Sequence, residues 1–337
     1  MDWSRSYSAT WRVFRVNRST WADAEQITNV DSVGITRTAN GSLLEAGDME
    51  VTGDFDSDYY RIVMTAEQGG EVQRVDVGTL LFESYDGTID YGVATRNAEG
   101  YSVLYPAEMT KITAGSFAPL GYDGAQYCKE LLETTINAPV RVEGSFILND
   151  HIVHEIGSTV LEAVWAVLDA GGFVIQIDGR GVVHIMPKPT EDTLVIANTN
   201  LRLLQNGIDY SGDTSEIPNR YIVIVGNNRT VVTNDSETSP ISSVNRGYYV
   251  DEVDESPTPI NGETIAEYAT RKLLEMSVMS EEYSYTREYA PDVYAYSIVK
   301  ASINGMMGDL RVTSQSIECG HGITVQEKAE KEVSLWQ

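Results

Sequence analysis

Apolar and polar residues alternate over most of the first 115 positions, at the period of half-buried strands rather than helices. Residues 7–16 ("YSATWRVFRV") predict a strand. Residues 59–77 ("YYRIVMTAEQGGEVQRVDV") predict a hairpin: Tyr60, Ile62 and Met64 face one way, Gly69-Gly70 turns, and Val72, Val75 and Val77 return. "GTLLFES" and "EGYSVLY" continue in the same β-rich vocabulary, and no helical period of any length interrupts them.

The period changes after Gly115. "DGAQYCKELLETTI" predicts a helix of about three turns and "GSFILN" a strand. "GSTVLEAVWAVLDAGG" is the clearest helix in the chain. Thr159 and Glu162 have capping-box spacing, Gly171 stands where a C-terminal cap is expected, and Val160, Leu161, Val164, Trp165 and Leu168 form a wide apolar stripe. "FVIQIDGRGVVHIM" predicts a hairpin turning at Asp178-Gly179, closed off by Pro187 and Pro189.

Strands resume near Thr190. "NRYIVIVG" predicts a buried strand that "NNRTVV" pairs with or extends, and "VDEVDESPTPING" an exposed acidic loop. Residues 261–280 predict an amphipathic helix whose Ile265, Ala269, Leu273 and Met276 share a face. "EEYSYTREY", "YSIVKASI", "DLRVTSQSIEC" and "GITVQEK" are four further strands. The expected architecture is mainly β: a first β-barrel or sandwich domain at residues 1–115, an α+β insert at 116–190, and a second β domain carrying one helix at 191–337.

Charge narrows the function. Fifty Asp and Glu against 24 Lys and Arg leave a net −26. Gripping a nucleic-acid backbone or an anionic membrane needs clustered cations, so both are disfavoured. The excess is spread along the chain: acids minus bases run 18 − 9 in residues 1–115, 9 − 4 in 116–190 and 23 − 11 in 191–337. "MDWSRSYSATWRV" has no apolar run, so no signal peptide is expected, and no stretch of the sequence is apolar enough to serve as a membrane anchor. Cys128 and Cys319 make no disulfide framework and predict two reduced, buried thiols.

The motifs that invite a chemical reading each fail on spacing. "HIVHE" places His151 and His154 three apart before Glu155. A helical zinc protease needs His-Glu-x-x-His or the inverted His-x-x-Glu-His. These histidines also precede the helix, in a strand or turn where residues three apart face opposite ways. Asp54, Asp56 and Asp58 open like a calcium loop, but Tyr59 and Thr65 stand where its Gly and Glu belong. No nucleophile elbow or phosphate-cradling glycine loop occurs. Paired carboxylates or scattered aromatics among 19 Tyr and 5 Trp are compatible with a cell-wall hydrolase or a secreted carbohydrate-binding or adhesion module, the two alternative classes. The expectation is no catalytic residue, no cofactor and no metal.

The order of features in the last third is more specific. "NRYIVIVG", an acidic loop, the helix ending "ATRKLLEMS", and then "EYAPDVYAYSIV" and "GMMGDLRVTSQSIECGHG" resemble the baseplate or tail hub proteins of tailed bacteriophages and related contractile injection systems. The matching points are Pro291-Asp292-Val293, the turn at Gly308-Asp309 and the strand from Arg311 to Ile317. "AVWAVLDAGGFVIQIDGRGVVHIMP" is similar to the family's helix-then-hairpin insert, and "ITRTANGSLLEAGDMEV" to its first hairpin. The chain departs from the pattern at Ala295-Tyr296, where the family has Gly-Asp. The resemblance implies two tube-like β-barrel domains in one chain. It implies a homotrimer forming a ring of six similar barrels between a tail tube protein and a spike or tip protein, beside other baseplate proteins. Such a subunit is made in the host cytoplasm, resides in the virion tail, is not an enzyme, and lets DNA pass without tight binding. The end at Gln337, soon after the second β domain, fits a stand-alone hub.

Overall fold

The structure is a computed structural model that describes residues 1–3, 5–39, 41–189, 208–259, 262–291, 293–300, 309–320 and 322–336. Two compact units divide it, and both are discontinuous in sequence. The first takes residues 1–207 and 285–329, the second residues 208–284 and 330–337. The fold is mainly β with an α+β insert.

The larger unit is built on seven long strands: β1 (Ser8–Val16), β2 (Asp23–Ile27), β3 (Val30–Thr38), β4 (Glu45–Thr52), β5 (Asp58–Gln68), β6 (Glu71–Asp90) and β7 (Val93–Tyr101). They lie antiparallel in the order β2-β1-β5-β6-β7-β4-β3. The predicted hairpin is β5–β6, with Gln68 opposite Glu71 across Gly69-Gly70. Tyr60, Ile62, Met64, Val75 and Val77 enter one core, as expected, but Val72 is 63% exposed. It lies three residues from Val75 and so points to the opposite face.

The insert follows β7. It contains α1 (Tyr105–Met109), β8 (Ser116–Ala118), α2 (Gly124–Glu133), β9 (Val140–Val142), β10 (Ile152–His154), α3 (Val160–Gly171), β11 (Phe173–Ile177) and β12 (Val183–Pro187). β11 and β12 form the predicted hairpin, and β9 adds to it in parallel. The strand is therefore at Val140–Val142 and not at "GSFILN", where Ile147 makes only an isolated bridge to Asp123. Phe146 in that stretch instead packs against Phe173. The capping box of Thr159 and Glu162 forms on α3. Its C-cap is Gly172, at φ +64°, rather than Gly171. Gly171 has a different job: a Cβ there would sit 2.3 Å from the Phe146 ring. One face of the helices and hairpin closes on Tyr59 and Leu81 of the large sheet, forming a second core.

Residues 208–288 hold β13 (Asp209–Gly212), β14 (Arg220–Val225), β15 (Asn228–Thr233), α4 (Ser243–Arg246), β16 (Asp251–Asp254), α5 (Ile265–Met276) and β17 (Val278–Glu288). β14 and β15 are the predicted pair. The acidic "loop" begins as a strand, since β16 pairs in parallel with β14 and exposes its side chains on the sheet edge. α5 buries Tyr268, Ala269 and Leu273 against Tyr221 and Val223, with Ile265 packed alongside. Met276, expected on that face, is 37% exposed, because the helix ends there and Ser277 caps it. Tyr268 takes the buried position through its hydroxyl, which donates to Asp254 at 2.6 Å.

The chain closes with β18 (Ile298–Lys300), β19 (Asp309–Cys319) and β20 (Ile323–Ser334). β19 pairs antiparallel with β3, continuing the large sheet, and β20 follows it. Ile317, Cys319, Ile323 and Val325 complete the core that Ile35 and Met49 begin. Asp292 and Gly308, two points of the family resemblance, lie outside the described residues, as does the whole stretch 190–207.

Candidate functional site

The histidine pair of "HIVHE" does not converge. His151 lies exposed, with Nδ1 accepting the Leu120 amide at 3.2 Å. His154, on β10, is buried and stacked on Tyr127, its Nε2 3.0 Å from the Tyr127 hydroxyl. Burial lowers the His154 pKa, so the ring is held neutral. The acidic turn is absorbed in ion pairs: Arg15 reaches Asp56 at 2.6 Å and Arg18 reaches Asp58 at 2.8 Å. Cys128 and Cys319 are free and buried. Burial pushes both thiols up, Cys319 to about 12, so neither is a nucleophile near neutral pH.

The residue that the sequence reading passed over is His184. It sits on β12 beside a concave polar pocket of about 500 Å³. Its walls come from the start of β6 (Gln73 to Asp76), from Glu143, from the β11–β12 turn and from Pro291 and Tyr294. The His184 ring is clamped between two carboxylates, Nδ1 at 2.6 Å from Glu143 and Nε2 at 3.2 Å from Asp178. The bond to Asp178 raises its pKa, burial opposes, and the bond to Glu143 adds to the rise. Asp178 responds in reverse. Burial works to raise it, but His184 and the amides of Val182 and Arg180 prevail and hold it below the usual carboxylate range. No local signal marks this site, because Glu143, just past the end of β9, is distant in sequence from Asp178 in the β11–β12 turn and His184 on β12.

The clamp fixes a turn that the large sheet reads through its backbone. Asp178 Oδ1 accepts the amides of Arg180 and Val182, both at 2.9 Å. The Gly179 carbonyl accepts the Thr79 hydroxyl at 3.1 Å. The Arg180 carbonyl accepts Trp21 Nε1 at 2.8 Å and Arg61 Nη2 at 3.1 Å. Arg61 is 1% exposed on β5, and its charge is met by Asp23 at 2.6 Å. Gly179 lies so close to the sheet that a Cβ would fall 1.8 Å from the Asp76 carbonyl oxygen. This arrangement can hold the insert to the sheet. Neither a cysteine nor a serine lines the pocket. Among the described residues, no three His, Cys, Asp or Glu side chains converge as a metal site.

A second buried ion pair lies on the far strands. Arg287, on β17, meets Glu327, on β20, in a bidentate bond at 2.8 and 2.9 Å, with both side chains at most 1% exposed. Gln315 Nε2 donates to the same carboxylate at 2.7 Å and to the Val293 carbonyl at 2.9 Å. Burial works to raise the Glu327 pKa, but the Arg287 charge and these bonds hold it low.

Comparison with known proteins gives the fold its context. No family model and no curated protein matches the sequence. Solved structures match along nearly all of it. A tail protein from Neisseria meningitidis MC58 is similar over 98% of both chains, at a TM-score of 0.60 and 12% identity. The 43 kDa tail protein of prophage MuSo2 from Shewanella oneidensis is similar over 95% of this chain and 97% of its own, at 0.59 and 15%. A chain of the Francisella PdpA–VgrG complex is similar over 97% of this chain and 58% of its own, at 0.57 and 9%. The chain thus has the fold of phage tail proteins, at identities where sequence alone carries little of the likeness.

Proposed function

We propose that the chain is a structural subunit of a phage-type tail, and within it the baseplate hub. The observation that carries the reading is the length of the fold match: tail proteins share the arrangement from end to end, insert included. In this reading three copies close into a ring of six similar β elements, joining a tail tube protein on one side to a spike or tip protein on the other. The subunit performs no catalysis and resides in the virion tail. DNA crosses the ring without being held. The charge supports that role, because three chains bring 3 × −26 = −78 formal charges to the ring. DNA carries one negative charge per roughly 1.7 Å, and an acidic wall repels it where a basic one would grip through counterion release. Sedimentation equilibrium tests the assembly. Three chains of 37.2 kDa give a species of about 112 kDa, and a stable monomer at every concentration and salt level rejects the ring. A trimer that binds duplex DNA tightly and salt-sensitively rejects free passage.

A further inference from the structure

Two half-buried aromatic rings of the larger unit, Trp165 on α3 and Tyr296 just before β18, line the same two concavities. Carbonyls three residues apart hold their polar edges. The Trp165 indole donates to the Ser42 carbonyl at 3.1 Å, and the Tyr296 hydroxyl donates to the Ala39 carbonyl at 2.5 Å. Tyr296 sits at φ +69°, and its amide donates to the Val312 carbonyl of β19 at 2.9 Å, which keeps the backbone there. Glycine adopts such a conformation freely, whereas a bulky residue is strained by it. What the tyrosine adds, against that strain, is a ring shared by both concavities. The first, of about 500 Å³, has buried Phe173 and Val174 in its lining and exposed Asp169 and Lys188 beside them. The second, of about 350 Å³, lies against Gly41 and Ser42. Among the described residues, neither the Asp169 carboxylate nor the Lys188 ammonium enters a hydrogen bond or an ion pair.

These groups select a ligand by chemistry. An apolar side chain of another protein would cover Asp169 and Lys188 and leave both charges desolvated without a partner. A phosphate group needs an arginine fork or several aligned amides, and here a single lysine is offset by an acid. An organic cation is drawn to aromatic faces but opposed by Lys188. An uncharged sugar meets every group. The C–H faces of its ring pack on aromatic rings, and its hydroxyls donate to Asp169 and accept from Lys188. We propose that the two concavities form one cleft for an uncharged oligosaccharide, with sugar units on both sides of the Trp165–Tyr296 pair. The cleft lies within a single chain, so it is complete in a monomer and stands or falls separately from the tail reading.

Isothermal titration calorimetry of the whole purified chain tests this, with chitotetraose, maltotetraose and cellotetraose as probes. The expected result is that at least one binds with a Kd of about 1 mM or tighter. Trp165→Ala and Tyr296→Gly each weaken that binding at least tenfold, the second while relieving the backbone. Asp169→Asn and Lys188→Gln alter exposed, unpartnered groups, so they leave the thermal melt unchanged and weaken binding at least threefold. They decide the matter if the aromatic variants do not fold. Failure of all three probes to bind overturns the proposal. So does saccharide binding that survives the Asp169→Asn and Lys188→Gln substitutions together. Binding of N-acetyltryptophanamide at these residues without binding of any saccharide also overturns it, and assigns the cleft to a protein side chain.

Discussion

Removing one member of the Arg287–Glu327 pair tests how the far strands are held in register. In Arg287→Met the side chain keeps its length and apolar contacts, but Glu327 loses both guanidinium bonds and is left with Gln315. Stranding one charge of a pair this deeply buried costs about 3–5 kcal/mol, because the remaining carboxylate must be desolvated without compensation. With a urea slope of about 2 kcal/mol per molar, the midpoint of the larger unit falls by roughly 2 M. Arg287→Met combined with Glu327→Leu removes both charges and recovers most of that loss, since the desolvation penalty leaves with the attraction. Urea titration followed by near-ultraviolet circular dichroism reads all three proteins. A midpoint shift below about 0.5 M in the single variant, within reach of ordinary surface substitutions, refutes this role of the pair. A double variant as unstable as the single refutes it equally, since packing rather than charge would then have been lost.

Other expectations are direct. Gly179→Ala forces a Cβ onto the Asp76 carbonyl and destabilises by about 3 kcal/mol, whereas Gly69→Ala, with φ +59° but open space around it, loses about 1 kcal/mol; thermal melts compare the two. The raised pKa of His184 means that its clamp contributes fully below the ordinary imidazole range and is lost as pH rises through the folded-state value. Asp178, with a lowered pKa, contributes above the ordinary carboxylate range and loses its share as pH falls through its folded value. His184→Gln flattens the alkaline side of the stability profile, and an unchanged profile refutes the clamp. Native protein reacts with a thiol reagent at neither Cys128 nor Cys319, and both react on unfolding; fast labelling of folded protein contradicts their burial.

The elements most legible in the sequence were those whose period and punctuation agree. The β5–β6 hairpin has alternation and a Gly-Gly turn, and α3 has a capping box and an apolar stripe. Errors came where one residue satisfied a local rule but served a distant contact. Gly171 looked like a cap and is small for the Phe146 ring, while Val72 shares its neighbours' chemistry but not their face. β16 reads as loop because a strand on a sheet edge can keep most of its side chains in water, here all but Asp254. The His184 site was invisible because Glu143 is brought to the Asp178–His184 pair of the β11–β12 hairpin only by parallel pairing of β9 with β12, which leaves no mark at short range. Buried Arg61, Arg37 and Arg287 are hidden similarly, since alternation treats every arginine as solvent-facing.

The joint between insert and sheet is gripped through peptide carbonyls, those of Gly179 and Arg180, and through a glycine that leaves room for the Asp76 backbone. Such a joint constrains the path of the chain more than its letters. At Arg180 any residue that follows the same turn presents the same oxygen. Sequence can therefore differ on the insert's side of the joint while the docking geometry stays the same, which is one physical route to a shared fold at 12% identity. Chains of this fold are then better compared by turn geometry and glycine placement than by matched side chains.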